Sequence, residues 1–575
     1  MNYLDWIVLI LTLTGIIAYG LYKSRTTHNL AGYFLANRSM SWGLILLSII
    51  GTQASSITFL SAPGQAYTDG MRFVQYYFGQ PIAAVVICIV FVPIFSKLQV
   101  YTSYQYLETR FDVKTRTLTS FLFLLNRSLS TGISVFAPSI ILSSLLGWNI
   151  YWTNIFMGGL LIIYTMSGGA KAVAYTQQLQ LIIIFIGIFL AAYLVVHMLP
   201  EHVGFFDALH VSGKLGKLNV ITTGIQNGKF NWKDQYNLLS GIIGGFFLGL
   251  SYFGTDQSQV GRYLTASSMK ESRMGLLMNG MVKVPMQFLI LLVGALVFTF
   301  YQFNGAPLFF NESQLAKIEG TIYKDSLVQA RQEYETINLL KRKSVTDFSL
   351  ALHQHDQINI TRHQRELEDL QHYSDSLRMK VKTWIKATGG DNNDTNYIFI
   401  RFVVDYLPAG LVGLLIAIIF LASWGSIAAA LNSLSSATMV DFHRRFTKHT
   451  ITPEKEYQWS KWYTLAWGIF CITVAMFTYN IGNSLIEAVN VLGSLFYGVI
   501  LGVFLVAFFL KSIKSGLAVF WGAVVAECLV LAVFTFAKLG YINLGFLWLN
   551  PIGAFGVILF TLLFNLFFRV QRSRR

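Results

Sequence analysis

Apolar runs long enough to cross a lipid bilayer recur from one end of this sequence to the other, and they leave the chain few ways to fold. A helical crossing takes ~20 apolar residues. Backbone polar groups inside the bilayer must pair within the protein, so crossings are helices or closed barrels. Thirteen runs are read as helical spans, near 4–23, 41–66, 72–97, 118–146, 150–168, 175–199, 237–263, 275–303, 398–440, 458–480, 484–511, 514–537 and 546–569. Only 12% of the 575 residues are charged and 54% are hydrophobic, whereas a soluble domain carries ~25% charged residues. The expected fold class is an all-α membrane protein with about 13 transmembrane helices.

The net charge of +15 fits the positive-inside rule better than nucleic-acid binding. Lys23/Arg25/Arg38, Lys97/Arg110/Lys114/Arg116, Lys171, Arg262/Lys270/Arg273, Arg444/Arg445/Lys448, Lys511/Lys514 and Arg569/Arg572/Arg574/Arg575 alternate to one side. That side is expected to be the cytoplasm of a plasma or inner membrane, with the N-terminus outside and the C-terminus inside. The first run has no basic leader or small-residue cleavage site and is expected to be retained. Cys88, Cys471 and Cys528 lie in apolar runs, so neither a disulfide framework nor a metal cluster is expected.

Gly51-Thr52-Gln53-Ala54-Ser55-Ser56 interrupts the second run near its middle. Polar groups at that depth must face protein or a water-filled cavity. An interrupted helix whose backbone binds a ligand fits the stretch; so does a small-residue packing face. Transporters often repeat such a break in a second half, and Gly241 to Thr255 holds five glycines in one span. Five spans run from each break, with one before them and two after. The odd number per repeat makes the halves inverted. Span nine carries Ser423, Ser426, Asn432, Ser433, Ser435 and Ser436, which are oxygen ligands or packing groups.

Residues 304–396 form the largest interruption. Over 311–396 there are 12 Lys/Arg and 13 Asp/Glu. Tyr323, Leu327, Ala330, Tyr334, Ile337 and then Leu367, Leu370, Leu377, Val381, Trp384 step by threes and fours, predicting two amphipathic helices in a hairpin. The segment is expected to be extracytoplasmic, either a solvated insertion or a docking platform for another envelope protein. His353 and His355 are weak metal candidates. Asn359-Ile360-Thr361 is a glycosylation pattern only in a eukaryotic secretory route.

Several stretches together resemble the sodium:solute symporter family, which includes sodium/glucose, sodium/proline, iodide and monocarboxylate cotransporters. They are Ser55–Gly64 (SSITFLSAPG), Val92–Val100 (VPIFSKLQV), Tyr104–Phe111 (YQYLETRF), Gly168–Val173 (GGAKAV), Thr255–Leu264 (TDQSQVGRYL) and Ala430–Ser433 (ALNS). The resemblance spans roughly residues 1–510 apart from 304–396. It implies a LeuT-type five-plus-five inverted repeat and sodium-driven import by alternating access, with Na+ as coupling ion and no cofactor. The repeats are 41–199 and 237–303 with 397–511. An extra span and loop occupy 1–40, and two spans and a basic tail occupy 512–575.

By the same resemblance, sodium binds carbonyls at Gly51 and Ala54, a carbonyl at Ala422, and hydroxyl positions at Gly425 and Ser426. Gly425 departs from the pattern, since many members carry a hydroxyl there; Ser423, Ser55 or water are the substitutes. Gln177 departs too, standing where many members have Asp. One sodium at most is expected. The implied substrate pocket uses Gln53, Thr58, Tyr76, Tyr77, Gln80, Tyr252, Lys283 and Asn490. Lys283 favours an anion or hydroxyl-rich solute, or snorkels to the cytoplasmic edge. Galactose-transporting members have Gln and Glu where this chain has Thr58 and Tyr77, so a small organic anion is favoured over a sugar.

Asp256 reads as an ion-pair partner of Arg262, and Glu487 and Glu527 as paired or interface groups. A sodium-independent facilitator or channel and a transporter-like sensor are the other classes considered; the seven residues after Phe568 leave a sensor no output domain. Neither a P-loop nor a hydrolytic or metal grouping points to an enzyme.

Overall fold

The computed structural model describes residues 2–24, 30–447, 452–478 and 484–573. Arg25, Lys448, Arg574 and Arg575 lie outside the described residues, as do the side chains of Lys23, Lys171, Arg569 and Arg572. Nine described helices are long and apolar enough to cross a membrane, ten if one bent pair counts as a single span. Ile150–Met166 and Ser240–Thr255 are apolar but shorter. By length and composition this is fewer than the thirteen crossings expected, although each of the thirteen segments is largely helical.

The bent pair is the interrupted second run. Trp42–Gln53 and Ser56–Asp69 meet at 62°. Ala54 (φ −77°, ψ 68°) and Ser55 (φ −79°, ψ 168°) leave the helical region between them. Glycine, serine and threonine here weaken the helix, because glycine is flexible and hydroxyls compete for backbone groups.

Two predicted boundaries shift. The run 398–440 is not one helix: Ile398–Tyr406 ends before Pro408, and Leu411–Ala437 begins after Gly410, at φ +89°. Proline disfavours helix in the residue before it. The second break lies at Asp256, not within 241–255. Ser240–Gly244 is π-helical, Gly245–Thr255 is regular, and Asp256 starts Gln257–Tyr263 by accepting the Ser258 N–H. The glycines there serve close packing instead. A Cβ on Gly241 would come within 2.1 Å of the Gln75 carbonyl oxygen, and one on Gly245 within 2.6 Å of that of Tyr76.

Spans five and six carry one continuous helical assignment, Ile150–His197. The chain nonetheless folds back inside it. Tyr164 and Thr176 are twelve residues apart, ~18 Å along a straight helix, yet their hydroxyls are 2.5 Å apart. A tyrosine side chain cannot bridge that length.

Leu411–Ala437 runs through the middle of the protein and is almost wholly buried. Asp5 caps its start, accepting the N–H of Gly410 at 2.5 Å and of Gly413 at 3.2 Å.

The insertion forms the expected hairpin, Lys324–His353 and Gln357–Ala387, turned at His355 (φ +53°). Leu327, Ala330, Tyr334 and Ile337 pack against Leu377, Val381 and Ile385, with Tyr323 and Trp384 stacked 5.9 Å apart. His353 reaches the His202 carbonyl at 3.1 Å. Among the described residues no group of three or more His, Cys, Asp or Glu could hold a metal.

Asp394 ties the hairpin to the helices below. It is fully buried, 2.6 Å from Arg378 and 3.2 Å from Lys382, and accepts the Phe310 N–H at 3.0 Å. Burial pushes its carboxyl up, but Arg378 and Lys382 outweigh that and hold it below the ordinary carboxylate range. Its contribution is therefore present at neutral pH and lost as pH falls through its folded-state value. Asp394→Ala leaves two cations uncompensated and is expected to cost ~3–5 kcal/mol, read as a lowered unfolding temperature in detergent; an unchanged temperature contradicts this role.

Candidate functional site

The break at Ala54-Ser55 redirects backbone groups. The Ser55 N–H goes to the Gln53 carbonyl at 2.9 Å, and the Thr58 N–H to that of Ser55 at 2.9 Å. A regular helix would send them four residues back, to Gly51 and Ala54. These are the two carbonyls singled out for sodium.

Beside the break lies a cavity of about 1030 Å³ of non-atom space, its open mouth included. All eight residues expected to meet substrate line it: Gln53, Thr58, Tyr76, Tyr77, Gln80, Tyr252, Lys283 and Asn490. They come from the broken helix, the 3-10 segment Met71–Tyr77, and the helices Gln80–Leu98, Gly245–Thr255, Met269–Asn304 and Leu485–Phe509. Packing sets their directions. Tyr76 donates to Asn490 Oδ1 at 3.0 Å, its ring 4.8 Å from that of Tyr77. Gln259 donates to the Tyr252 hydroxyl at 2.7 Å, and Gln53 to Asn279 Oδ1 at 3.0 Å.

Lys283 does not snorkel to an edge. It is 2% exposed, with its ammonium 5.3 Å from the centre of the Tyr77 ring. Among the described residues no carboxylate lies within salt-bridge distance of it.

Arg127 also lines the cavity, and the sequence reading missed it. It is the lone charge in the run 118–146, and Ser130, Thr131 and Ser134 share its face at helical spacing. A single intramembrane charge with a polar stripe is a functional signal. Arg127, not Arg262, is the cation facing Asp256, at 3.9 Å. Arg262 points to the Ser258 carbonyl at 3.4 Å. Asp256 spends its oxygens on the Tyr497 hydroxyl at 2.6 Å and on Ser258, whose N–H and hydroxyl lie at 2.7 and 2.6 Å. The cavity wall thus holds two cations against one nearby, largely engaged carboxylate.

Polar capacity is left over in that wall. Gln80 Oε1, Asn490 Nδ2 and Arg127 Nε are buried without a hydrogen-bond partner. Burying such groups is costly unless something binds them.

Two of the five expected sodium positions, Gly51 and Gly425, stand on opposite sides of a seam. Gly51 and Ala54 sit on one side; Ala422, Gly425 and Ser426 sit on Leu411–Ala437. Gln177 fills the seam. A Cβ on Gly51 would lie 2.9 Å from its Cγ, and one on Gly425 would lie 3.2 Å away. Gln177 donates to the Gly425 carbonyl at 3.0 Å and the Thr52 hydroxyl at 3.3 Å, and accepts from Ser48 at 2.9 Å. Ser426 donates to the Ser423 carbonyl at 3.0 Å, which leaves its oxygen lone pairs available.

The family model "Sodium:solute symporter family" matches residues 33–317 and 373–526. The sodium/sialic acid symporter SiaT of Proteus mirabilis is 26% identical over 572 residues, covering 97% of this chain and 94% of that protein. The sodium/sialic acid symporter NanT of Aliivibrio fischeri is 24% identical, covering 94% and 90%. The human sodium/iodide cotransporter is 27% identical over a shorter stretch, 43% of this chain and 37% of that protein. A solved structure of a substrate-bound, outward-open Na+-coupled sialic acid symporter superposes with a TM-score of 0.73 at 22% identity, covering 98% of both chains. The chain belongs to the sodium:solute symporter family and is a sodium-coupled symporter of a small solute, built on the LeuT-type fold.

Proposed function

We propose that this symporter imports a small organic anion that also carries hydroxyl groups, with sialic acid as the first candidate. The observation that carries the reading is Arg127, a guanidinium in the cavity wall whose Nε–H has no partner and whose carboxylate neighbour is 3.9 Å away. A guanidinium offers a planar fork that fits a carboxylate. Lys283 adds a second positive charge, while Thr58, Tyr76, Gln80 and Asn490 offer groups for hydroxyls. The two relatives named for sialic acid support the same choice.

One Na+ is proposed to bind at the seam, on the carbonyls of Gly51, Ala54 and Ala422 and the hydroxyl of Ser426. Ser426→Ala removes one ligand and is expected to raise the sodium concentration for half-maximal uptake about tenfold. The repeats proposed are 41–199 and 237–303 with 397–511, with the N-terminus outside and the C-terminus in the cytoplasm. The hairpin within 304–396 then stands outside the membrane, where an envelope protein is a candidate partner. The chain moves its solute without covalent chemistry.

The test is uptake of labelled sialic acid by proteoliposomes. Accumulation is expected with an inward sodium gradient and not with potassium, with excess unlabelled sialic acid competing and a neutral sugar failing to compete. Equal uptake without sodium, or full competition by the neutral sugar, rejects this reading.

A further inference from the structure

Gln180 stands one helical turn beyond Gln177, on the same face and against the same seam. It is 3% exposed, and its Nε2 has no hydrogen-bond partner. Its Oε1 is 2.6 Å from the point where a Cβ on Gly425 would stand. A hydroxyl on residue 425 would start from that point.

We propose that the Gln180 carboxamide oxygen completes the sodium shell in place of the hydroxyl that Gly425 lacks. The inference rests on the sodium site proposed above. Three features support it. Glycine and glutamine fit here as a pair, because a Cβ at 425 would push the Gln180 amide oxygen aside from the place it now occupies. Gln177 makes three hydrogen bonds, which hold its oxygen toward Ser48 and its nitrogen toward Thr52 and Gly425. Gln180 has no such commitment, and its amide oxygen already faces residue 425. A neutral amide oxygen suits a hard cation that is already held by backbone carbonyls at a helix break.

The chain thereby keeps a full set of oxygens without adding a charge to the seam. A carboxylate there would call for a second cation, whereas the neutral amide of Gln180 serves one. Sodium affinity then depends on a residue from span six, outside the two helices that supply the other ligands.

The experiment uses the full-length protein in detergent and follows thermal unfolding as NaCl replaces KCl at constant total salt. The wild type is expected to gain stability specifically with sodium. Gln180→Ala is expected to raise the half-effective sodium concentration by about tenfold. Adding Gly425→Ser to Gln180→Ala puts a hydroxyl into the vacated space and is expected to restore the concentration to within about threefold of wild type. Adding Gly425→Ala instead fills the space without oxygen and should restore nothing. If Gln180→Ala does not fold, Gln180→Met keeps volume without the oxygen and should show the same loss. An unchanged half-effective concentration in the single variant overturns the proposal. So does equal recovery by alanine and serine at 425, which would make Gln180 a packing residue. A wild type with no sodium-specific gain overturns the underlying sodium site as well.

Discussion

Replacing Arg127 with glutamine is expected to lower uptake of a carboxylated solute by about 10- to 100-fold while leaving the sodium response of the protein in place. The range follows from removing charge-assisted hydrogen bonds worth ~1.5–3 kcal/mol. Folding should survive, because Asp256 keeps the Tyr497 hydroxyl at 2.6 Å and both donors of Ser258. The ion pair that is lost is a long one, at 3.9 Å. Arg127→Lys keeps the charge but loses the fork, and is expected to retain an intermediate rate. Proteoliposome uptake gives the rates, and sodium-dependent thermal unfolding gives the control. Wild-type uptake by Arg127→Gln would reduce Arg127 to a structural partner of Asp256. Loss of the sodium response together with uptake would point to a damaged fold instead.

The helices were legible because a bilayer permits little else, and the break at Ala54-Ser55 because glycine and hydroxyl side chains crowd one apolar run. The eight cavity residues came from resemblance, and the fold brings all of them to one wall. Arg127 is equally visible as a lone charge in a long apolar run, although it lies in none of the family-like stretches. The Asp256 partner could not be read locally: Arg262 is six residues away in sequence, while Arg127 arrives from another helix. The second break was misplaced for a related reason. Five glycines suggested unwinding, yet Gly241 and Gly245 are small because the backbone of Gln75 and Tyr76 runs against them. Glycine in a membrane helix signals close approach as readily as flexibility. Gly51 and Gly425 follow the same logic, making room for Gln177, and that pairing across three helices is invisible until the chain is folded.

Gln177→Glu is expected to make the stability of the protein depend on sodium far more steeply than in the wild type. Gln177 is fully buried, and its amide donates to the Gly425 carbonyl at 3.0 Å and to Thr52 while accepting from Ser48. Glutamate keeps the shape but turns the donor end into a second acceptor facing that carbonyl. An uncompensated buried charge destabilises by ~3–5 kcal/mol. In potassium the variant is therefore expected to unfold at a clearly lower temperature than wild type. A sodium ion can answer the new charge, since the seam already offers carbonyl and hydroxyl oxygens of Gly425, Thr52 and Ser48. Stability should then rise with the logarithm of sodium concentration above the dissociation constant and recover much of the loss. An equal loss in sodium and potassium would mean that the carboxylate is neutralised by a proton or stays unanswered, and that the seam cannot take a cation at Gln177. Recovery in sodium alone would show that a single amide is what keeps this seam from holding a further ion.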